Sequence, residues 1–295
     1  NRIHEIRTRF EVLRRDAEID YWRRRQGGTE DEEALAAELQ RTRDRLQADF
    51  AFIAACNIGG EGLDEADRAR LQRLAQTPWQ RHFDDRLGLS PAERDRFPAD
   101  NTPLPATETL LADKGWHIIE RHRERRPEPH LGINMTPPEH LYNLGELYNL
   151  TISRGTLTPE DRFKIQEHMI STVEMLDELP LPEELARVPR YASTHHETLD
   201  GRGYPRGLTD EDLSMPERIM VLADIFEALT APDRPYKEAK PVSEAVDILY
   251  GMVQAHHVDR DVFELFLTSG AWKEYTARHL KPEQIDEVDI ARYVR

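Results

Sequence analysis

Apolar residues recur at spacings of three and four along nearly the whole of this chain, a period that fits helices and little else. Ile3, Ile6, Phe10, Leu13 and Ala17 form one such seam, with Arg and Glu on the other faces. Gly27-Gly28 interrupts it, and Leu35, Leu39, Leu46, Phe50 and Ile53 form a second. Two readings fit the pair. One is a helical hairpin packed on itself. The other is a coiled-coil segment that dimerises and receives an upstream signal. Residues 57–62 read as a glycine-rich turn and 63–83 as a further helix. Pro91, Pro98, Pro103 and Pro105 make the next stretch loop-rich, and Pro127, Pro129, Pro137 and Pro138 mark an organisational boundary. No stretch alternates convincingly as a strand does, so the expected fold class is all-α. The expected division is an N-terminal helical segment over 1–56, a helical region with a proline-rich insertion over 57–138, and a main domain over 139–295.

The signals sharpen after Thr158. Thr158-Pro159-Glu160-Asp161 is a helix start, with a capping hydroxyl, proline at the first helical position and acids in the first turn. Ile165, Met169, Val173, Leu176 and Leu179 supply its apolar face, and Pro180 and Pro182 stop it. Ser214-Met215-Pro216-Glu217 has capping-box spacing and opens a very apolar helix over 217–229. Two more helices are expected over 244–255 and 261–268.

Charge narrows the partners. Forty Lys and Arg against 56 Asp and Glu give a net charge of −16 over 295 residues. That argues against nonspecific binding to nucleic-acid polymers or anionic membranes, both of which reward basic surfaces. A small phosphate ligand needs only a local cluster of cations or a metal. Cys56 is the single cysteine, so an internal disulfide and a thiolate zinc knuckle are both excluded. No apolar run approaches the ~18 residues of a membrane span. The first residue is Asn1 rather than Met, which reads as the C-terminal piece of a longer protein with its sensor upstream, here on the cytoplasmic side.

One stretch carries most of the chemistry: His195-His196-Glu197-Thr198-Leu199-Asp200-Gly201-Arg202-Gly203-Tyr204-Pro205. Adjacent histidines on a helix diverge by about 100° and can reach one metal cluster from different directions, or two neighbouring metals. Gly201, Gly203 and Pro205 would end that helix and let the backbone approach a ligand. A zinc-protease helix would need a second histidine at position 200, which is Asp200. Asp224 sits inside the apolar run 218–229, where a carboxylate is costly unless it is paired or metal-bound. It reads equally as a solvent-facing acid beside Glu227. His168, at the edge of its helix's apolar face, reads as a ligand or as a solvent-edge histidine. Arg234 and Lys237 suit a phosphate or an ordinary surface turn.

Taken together, His195-His196-Glu197-x-x-Asp200-Gly201-x-Gly203-Tyr204-Pro205, then Leu222-Ala223-Asp224-Ile225-Phe226-Glu227-Ala228-Leu229-Thr230, then Arg234-Pro235-Tyr236-Lys237, resemble the HD-GYP family of metal-dependent phosphohydrolases within the HD superfamily. The resemblance runs from about residue 155 to 270. It implies an HD-type helical core and a divalent metal site, with Fe or Mn expected, Zn as an alternative, and one or two ions. It implies cyclic di-GMP as the ligand, hydrolysed by a metal-activated water attacking phosphorus in line. By motif position it makes His168, His195, His196 and Asp224 metal ligands and puts Glu197 and Asp200 among the catalytic groups. Gly203, Tyr204 and Pro205 would shape the substrate pocket, and Arg234 and Lys237 would hold substrate phosphates.

The family's upstream His-Asp dyad is missing, for the chain contains no His-Asp dipeptide. One alignment puts the dyad at Tyr142-Asn143, with Glu146 at the usual lysine. Another puts it within 79–85, where His82, Asp84 or Asp85 would substitute. Asp49 is a candidate for an earlier family histidine. Three function classes follow: an active phosphodiesterase with an altered site, a degenerate module that binds cyclic dinucleotide or a protein without turnover, and a helical signalling connector. A homodimer through the N-terminal helices is the expected assembly. His256-His257 reads as a helix cap and turn. His117, His122, His130 and His140 read as surface residues, Arg121 to Arg126 as a solvated basic face, Trp79 and Trp116 as partial core anchors, and Cys56 as a small buried residue.

Overall fold

The computed structural model describes residues 3–58, 62–99, 102–121, 127–153, 155–231 and 240–294. The chain divides into two compact units. The first comprises Asn1–Glu124 with Pro138–Lys164, the second Arg125–Pro137 with Ile165–Arg295. The fold class is all-α, as the spacing of apolar residues predicts.

In the first unit, α1 (Ile3–Gly27) and α2 (Glu32–Ile58) form an antiparallel hairpin. Gly28 turns the chain with φ +65°, a left-handed value that glycine adopts without steric cost. Arg43 pairs with Glu18 at 2.7 Å and Arg24 with Glu38 at 3.1 Å, so the pairing runs head to tail along the two helices. Ile6, Phe10, Leu46 and Ile53 bury their side chains with Leu71, Leu110 and Leu150. The seams therefore pack within one chain, the hairpin reading.

The expected helix over 63–83 is shorter in the structure. Asp64 caps α3 (Glu65–Ala75) by accepting the Asp67 N–H at 2.7 Å. The helix ends at Ala75 because Pro78 disfavours helical geometry in the residue before it and lacks an N–H to donate. β1 (Pro78–Arg81) follows and pairs antiparallel with β2 (Ala106–Thr109), while β3 (Ile118–Glu120) pairs with β4 (His140–Asn143). These strands correct the expectation of no strand. At three or four residues each, they are too short to display a period of two in the sequence. The proline-rich loop also holds one short helix, α4 (Pro91–Arg94), capped by Ser90 and Glu93. His117, expected at the surface, is buried, and its Nδ1 accepts the Lys114 N–H. Beyond β4, α5 (Glu146–Leu150) buries Glu146, whose carboxylate accepts from Arg9 at 2.7 Å and from the Ala112 N–H at 3.0 Å.

α6 (Pro159–Asp177) begins in the first unit and runs into the second. Thr158 caps it as expected: its Oγ1 accepts the Asp161 N–H at 3.0 Å and donates to the Asp161 carboxylate at 2.9 Å. The buried face is Phe163, Met169 and Val173, while Ile165, expected to be inside, is exposed. The second unit continues with α7 (Val188–Ala192), α8 (Met215–Thr230), α9 (Val242–Gln254), α10 (Arg260–Thr268) and α11 (Ala271–His279). The expected capping box opens α8. Glu217 accepts the Ser214 N–H at 2.7 Å and hydroxyl at 2.6 Å, and its other oxygen accepts from Arg190 at 2.6 Å. Leu222 and Phe226 of α8 meet Val246 and Leu249 of α9 and Phe263 and Leu267 of α10 in one core.

Leu249 is fully buried there, whereas Leu265 on α10 is 57% exposed. Leu249→Ala should therefore cost about 2–5 kcal/mol of stability in a denaturant titration. Leu265→Ala should stay within about 0.5 kcal/mol of the parent.

Candidate metal centre

Three histidines converge in the second unit. His168 projects from α6, and His195 and His196 from the turn after α7. One ring nitrogen from each lies within 4.8 Å of the others. The ring centroids of His195 and His196 are 4.2 Å apart, and His168 stands 5.2 Å from His196 and 6.1 Å from His195. The histidine pair is not on a helix, contrary to expectation. Ser193 and Thr194 donate their hydroxyls back to the carbonyls of Arg190 and Tyr191, at 3.1 Å each. Such bonds compete with continued helix, and α7 stops at Ala192.

The hydrogen bonds behind the rings decide what they can do. His195 Nδ1 lies 2.9 Å from the Ala192 carbonyl, and His168 Nδ1 lies 2.6 Å from the Ile165 carbonyl. A carbonyl oxygen only accepts, so in each neutral ring Nδ1 carries the proton and Nε2 the lone pair. That is the second-layer bond that orients metal-ligating histidines. Asp224, from α8, brings Oδ2 to 3.6 Å from His196 Nδ1. It lies outside the close triplet and is half-buried. The donor set, three imidazoles with a carboxylate at hand, fits a divalent transition metal.

Burial, followed by the neighbouring His195, holds the His196 imidazolium unfavourable and pushes its pKa down to about 4, with Asp224 opposing. Neutral imidazole is the form that binds a metal. The Tyr204 ring stacks on His196 at 4.7 Å and 28°. Burial, then the Asp224 charge, pushes the Tyr204 hydroxyl up to about 12.

Residues 197–208 fold into a loop whose shape follows from a few contacts. Glu197 is fully buried, and its two carboxylate oxygens accept the backbone N–H groups of Arg206 at 2.7 Å and Leu208 at 2.8 Å. Gly203 packs so closely on the Glu197–Thr198 backbone that a Cβ would lie 2.4 Å from the Glu197 Cα. The Tyr204 N–H donates to the His196 carbonyl at 3.1 Å, and the Tyr204–Pro205 peptide is cis. The Pro205 carbonyl accepts from the Asn134 N–H at 2.8 Å, and Arg206 donates to the Leu131 carbonyl at 3.0 Å and the Ser193 hydroxyl at 2.8 Å. The proline-rich segment around 131–134 thus braces the loop, a role its composition did not signal.

Asp200 is likewise engaged. It accepts from the Thr198 hydroxyl at 2.6 Å, the Arg202 N–H at 3.1 Å and Arg202 Nε at 2.6 Å. Burial disfavours its charge, but these donors outweigh burial and hold the carboxyl well below the usual range. In this geometry Glu197 and Asp200 shape the loop that carries Tyr204. Arg234 and Lys237 lie outside the described residues.

The candidate counterparts of the missing dyad, of its lysine and of the earlier family histidine belong to the first unit, and each of the acids has a basic partner there. Glu146 pairs with Arg9, Asp49 with Arg70 at 3.1 Å, Asp84 with Arg86 at 3.3 Å and Asp85 with Arg81 at 3.5 Å. Asn143 Oδ1 accepts the Gly145 N–H at 2.9 Å.

A family model described as HD domain matches residues 108–262, more than half of the chain. Two proteins of Vibrio cholerae align with it. "3'3'-cGAMP-specific phosphodiesterase 3" is 38% identical over 112 residues, 37% of this chain and 24% of that protein. "3'3'-cGAMP-specific phosphodiesterase 1" is 31% identical over 146 residues, 46% and 33% respectively. A "Cyclic di-GMP phosphodiesterase" of Thermotoga maritima is 34% identical over 108 residues, 36% of this chain and 29% of that protein. The chain therefore spans about a quarter to a third of these relatives.

Gly203→Ala would force the loop off Glu197, at a cost of about 1–3 kcal/mol by denaturant titration. Gly251, in α9 with open space around it, should instead gain about 0.5–1 kcal/mol on replacement by Ala. The depressed pKa of His196 carries a sign as well. Between its ordinary 6.5 and about 4, the folded chain binds fewer protons than the unfolded one. Metal-free protein should lose stability as pH falls through that window, and His196→Gln should flatten the slope.

Proposed function

The chain belongs to the HD domain family, and from that premise we propose that it hydrolyses a phosphodiester of a cyclic dinucleotide, with cyclic di-GMP as first candidate, using one divalent metal ion. The observation that carries this reading is the triplet of His168, His195 and His196, two of whose rings are turned by carbonyl bonds so that Nε2 is free to ligate. His168, His195 and His196 would hold the ion, with Asp224 beside His196. Mn or Fe is the expected metal, and Zn suits the same donors. A divalent ion held there supplies a Lewis acid that neutralises phosphoryl charge and makes water a competent nucleophile near neutral pH.

The chain's own groups prepare the rest. Burial keeps His196 uncharged at neutral pH, so no proton has to leave it before it ligates. Tyr204 covers one face of His196 and keeps that side from water. Glu197 and Asp200 act as positioning residues, since their carboxylates are taken up by the loop itself. On a chain of net charge −16, the ion and the basic pair Arg234 and Lys237 would meet the substrate's phosphates. The names of the relatives support cyclic dinucleotides as the substrate class, with 3'3'-cGAMP as the alternative to cyclic di-GMP. We read the chain as the cytoplasmic output part of a longer signalling protein.

A second reading has one specific observation in its favour. The family match covers Tyr142-Asn143 and begins after residue 85, which favours the alignment that puts the missing dyad at Tyr142-Asn143. An amide cannot replace a bridging carboxylate, and this one is already bonded to the Gly145 N–H. A module that binds cyclic dinucleotide without turnover would follow.

Incubation of Mn- or Fe-loaded protein with cyclic di-GMP and, separately, with 3'3'-cGAMP should yield linear dinucleotide by chromatography. His196→Ala should reduce the rate at least about 100-fold, the upper range for loss of support at a metal site. Tight binding of either dinucleotide with no product, under both metals, would replace the first reading by the second.

A further inference from the structure

We propose that His257 is a positioning residue that holds the 198–210 loop, and through the loop sets the geometry of the histidine triplet. The turn after α9 reaches this loop at three points. The His257 carbonyl accepts the Leu199 N–H at 3.3 Å. Its Nε2 faces Asp200 Oδ2 at 3.2 Å, with Arg202 Nη2 at 3.5 Å. His256 Nε2 stands 3.5 Å from Asp210 Oδ2. Asp210 in turn donates its N–H to the Leu199 carbonyl at 3.0 Å, and residues 200 and 209 form a bridge that closes the base of the loop.

The turn itself is fixed in place. The His257 N–H donates to the Met252 carbonyl at 2.9 Å. Asp259 caps α10 by accepting the Val262 N–H at 3.0 Å, and it pairs with Arg218 of α8 at 2.6 Å. Arg218 also donates to the Leu213 carbonyl at 2.8 Å. His256 has φ +59°, a left-handed conformation unfavourable for a residue with a Cβ. A strained backbone persists where the surroundings over-determine it. Here it is what presents two successive histidine side chains to two carboxylates of one loop.

The chemistry links His257 to the triplet in a short chain. His257 Nε2 accepts from Nη2 of Arg202 at 3.5 Å, the same guanidinium that serves the Asp200 oxygen beside it. Asp200 fixes Thr198 and Arg202, the residues on either side of the loop's first turn. Thr198 is part of the backbone on which Gly203 rests, and Gly203 precedes the tyrosine that stacks on His196. The consequence for metal rests on the metal-site reading above; the consequence for the loop does not.

The test uses the full chain and two variants, His257→Ala and His257→Gln. Glutamine keeps a hydrogen-bond acceptor near the position of Nε2. Hydrogen exchange of the metal-free proteins is followed segment by segment. His257→Ala should raise exchange about tenfold over 198–206, with α9 and α10 unchanged, and His257→Gln should restore protection. Unchanged exchange in His257→Ala would overturn the proposal. So would an increase spread evenly through α9 and α10, or a glutamine variant no better than alanine. Mn²⁺ titration by calorimetry reads the second link, where His257→Ala should bind about tenfold more weakly and His257→Gln within about threefold of the parent. Parent protein that binds no Mn²⁺ would refute the metal reading while the exchange result still decides the loop.

Discussion

The buried carboxylate of Glu197 ties the backbone on one side of the candidate centre to the backbone on the other. It follows His196 directly and accepts the N–H groups of Arg206 and Leu208, so the histidine turn and the far end of the tyrosine loop share one anion. An ionised acid without partners in that position would be costly, and two charge-assisted bonds offset the loss of water. The other features of the loop follow from this closure. Only glycine fits at 203, because the loop must lie flat on the Glu197–Thr198 backbone. Tyr204 is then delivered to the face of His196.

Electrostatics at the centre run against the chain as a whole. The protein carries a net charge of −16, yet the cluster is built from three imidazoles, with the Asp224 carboxylate beside them. Burial keeps His196 uncharged well below neutral pH. Such a site repels cations less than a protonated cluster would, and it offers an anionic phosphate little repulsion of its own. The many surface acids reside elsewhere, several in ion pairs such as Arg24 with Glu30 and Glu38.

How much was legible in the sequence differs by element. Long apolar periods marked α1, α2, α6, α8 and α9, because each helix buries enough of one face to leave a repeating signal. The strands at 78–81 and 106–109 left none, being too short for alternation and paired with partners far along the chain. Spacing and motif pointed to His168, His195, His196 and Asp224, and the structure brings the three histidines together with Asp224 at the edge. The resemblance put Glu197 and Asp200 among the catalytic groups, and in the structure both carboxylates accept hydrogen bonds within the loop. The bracing by Leu131 and Asn134 acts largely through backbone groups, which no side-chain pattern reports. His256-His257 read as a plain turn, since only the folded chain shows which carboxylates it faces.

The three-histidine centre is the claim on which the functional account stands, and anomalous diffraction from crystals grown with Mn²⁺ tests it most directly. One anomalous peak per chain is expected within coordination distance of His168, His195 and His196, removed by chelator and absent in His195→Ala. A structure in which the three imidazoles stay unligated at saturating Mn²⁺, or in which the ion binds elsewhere in the chain, would contradict it.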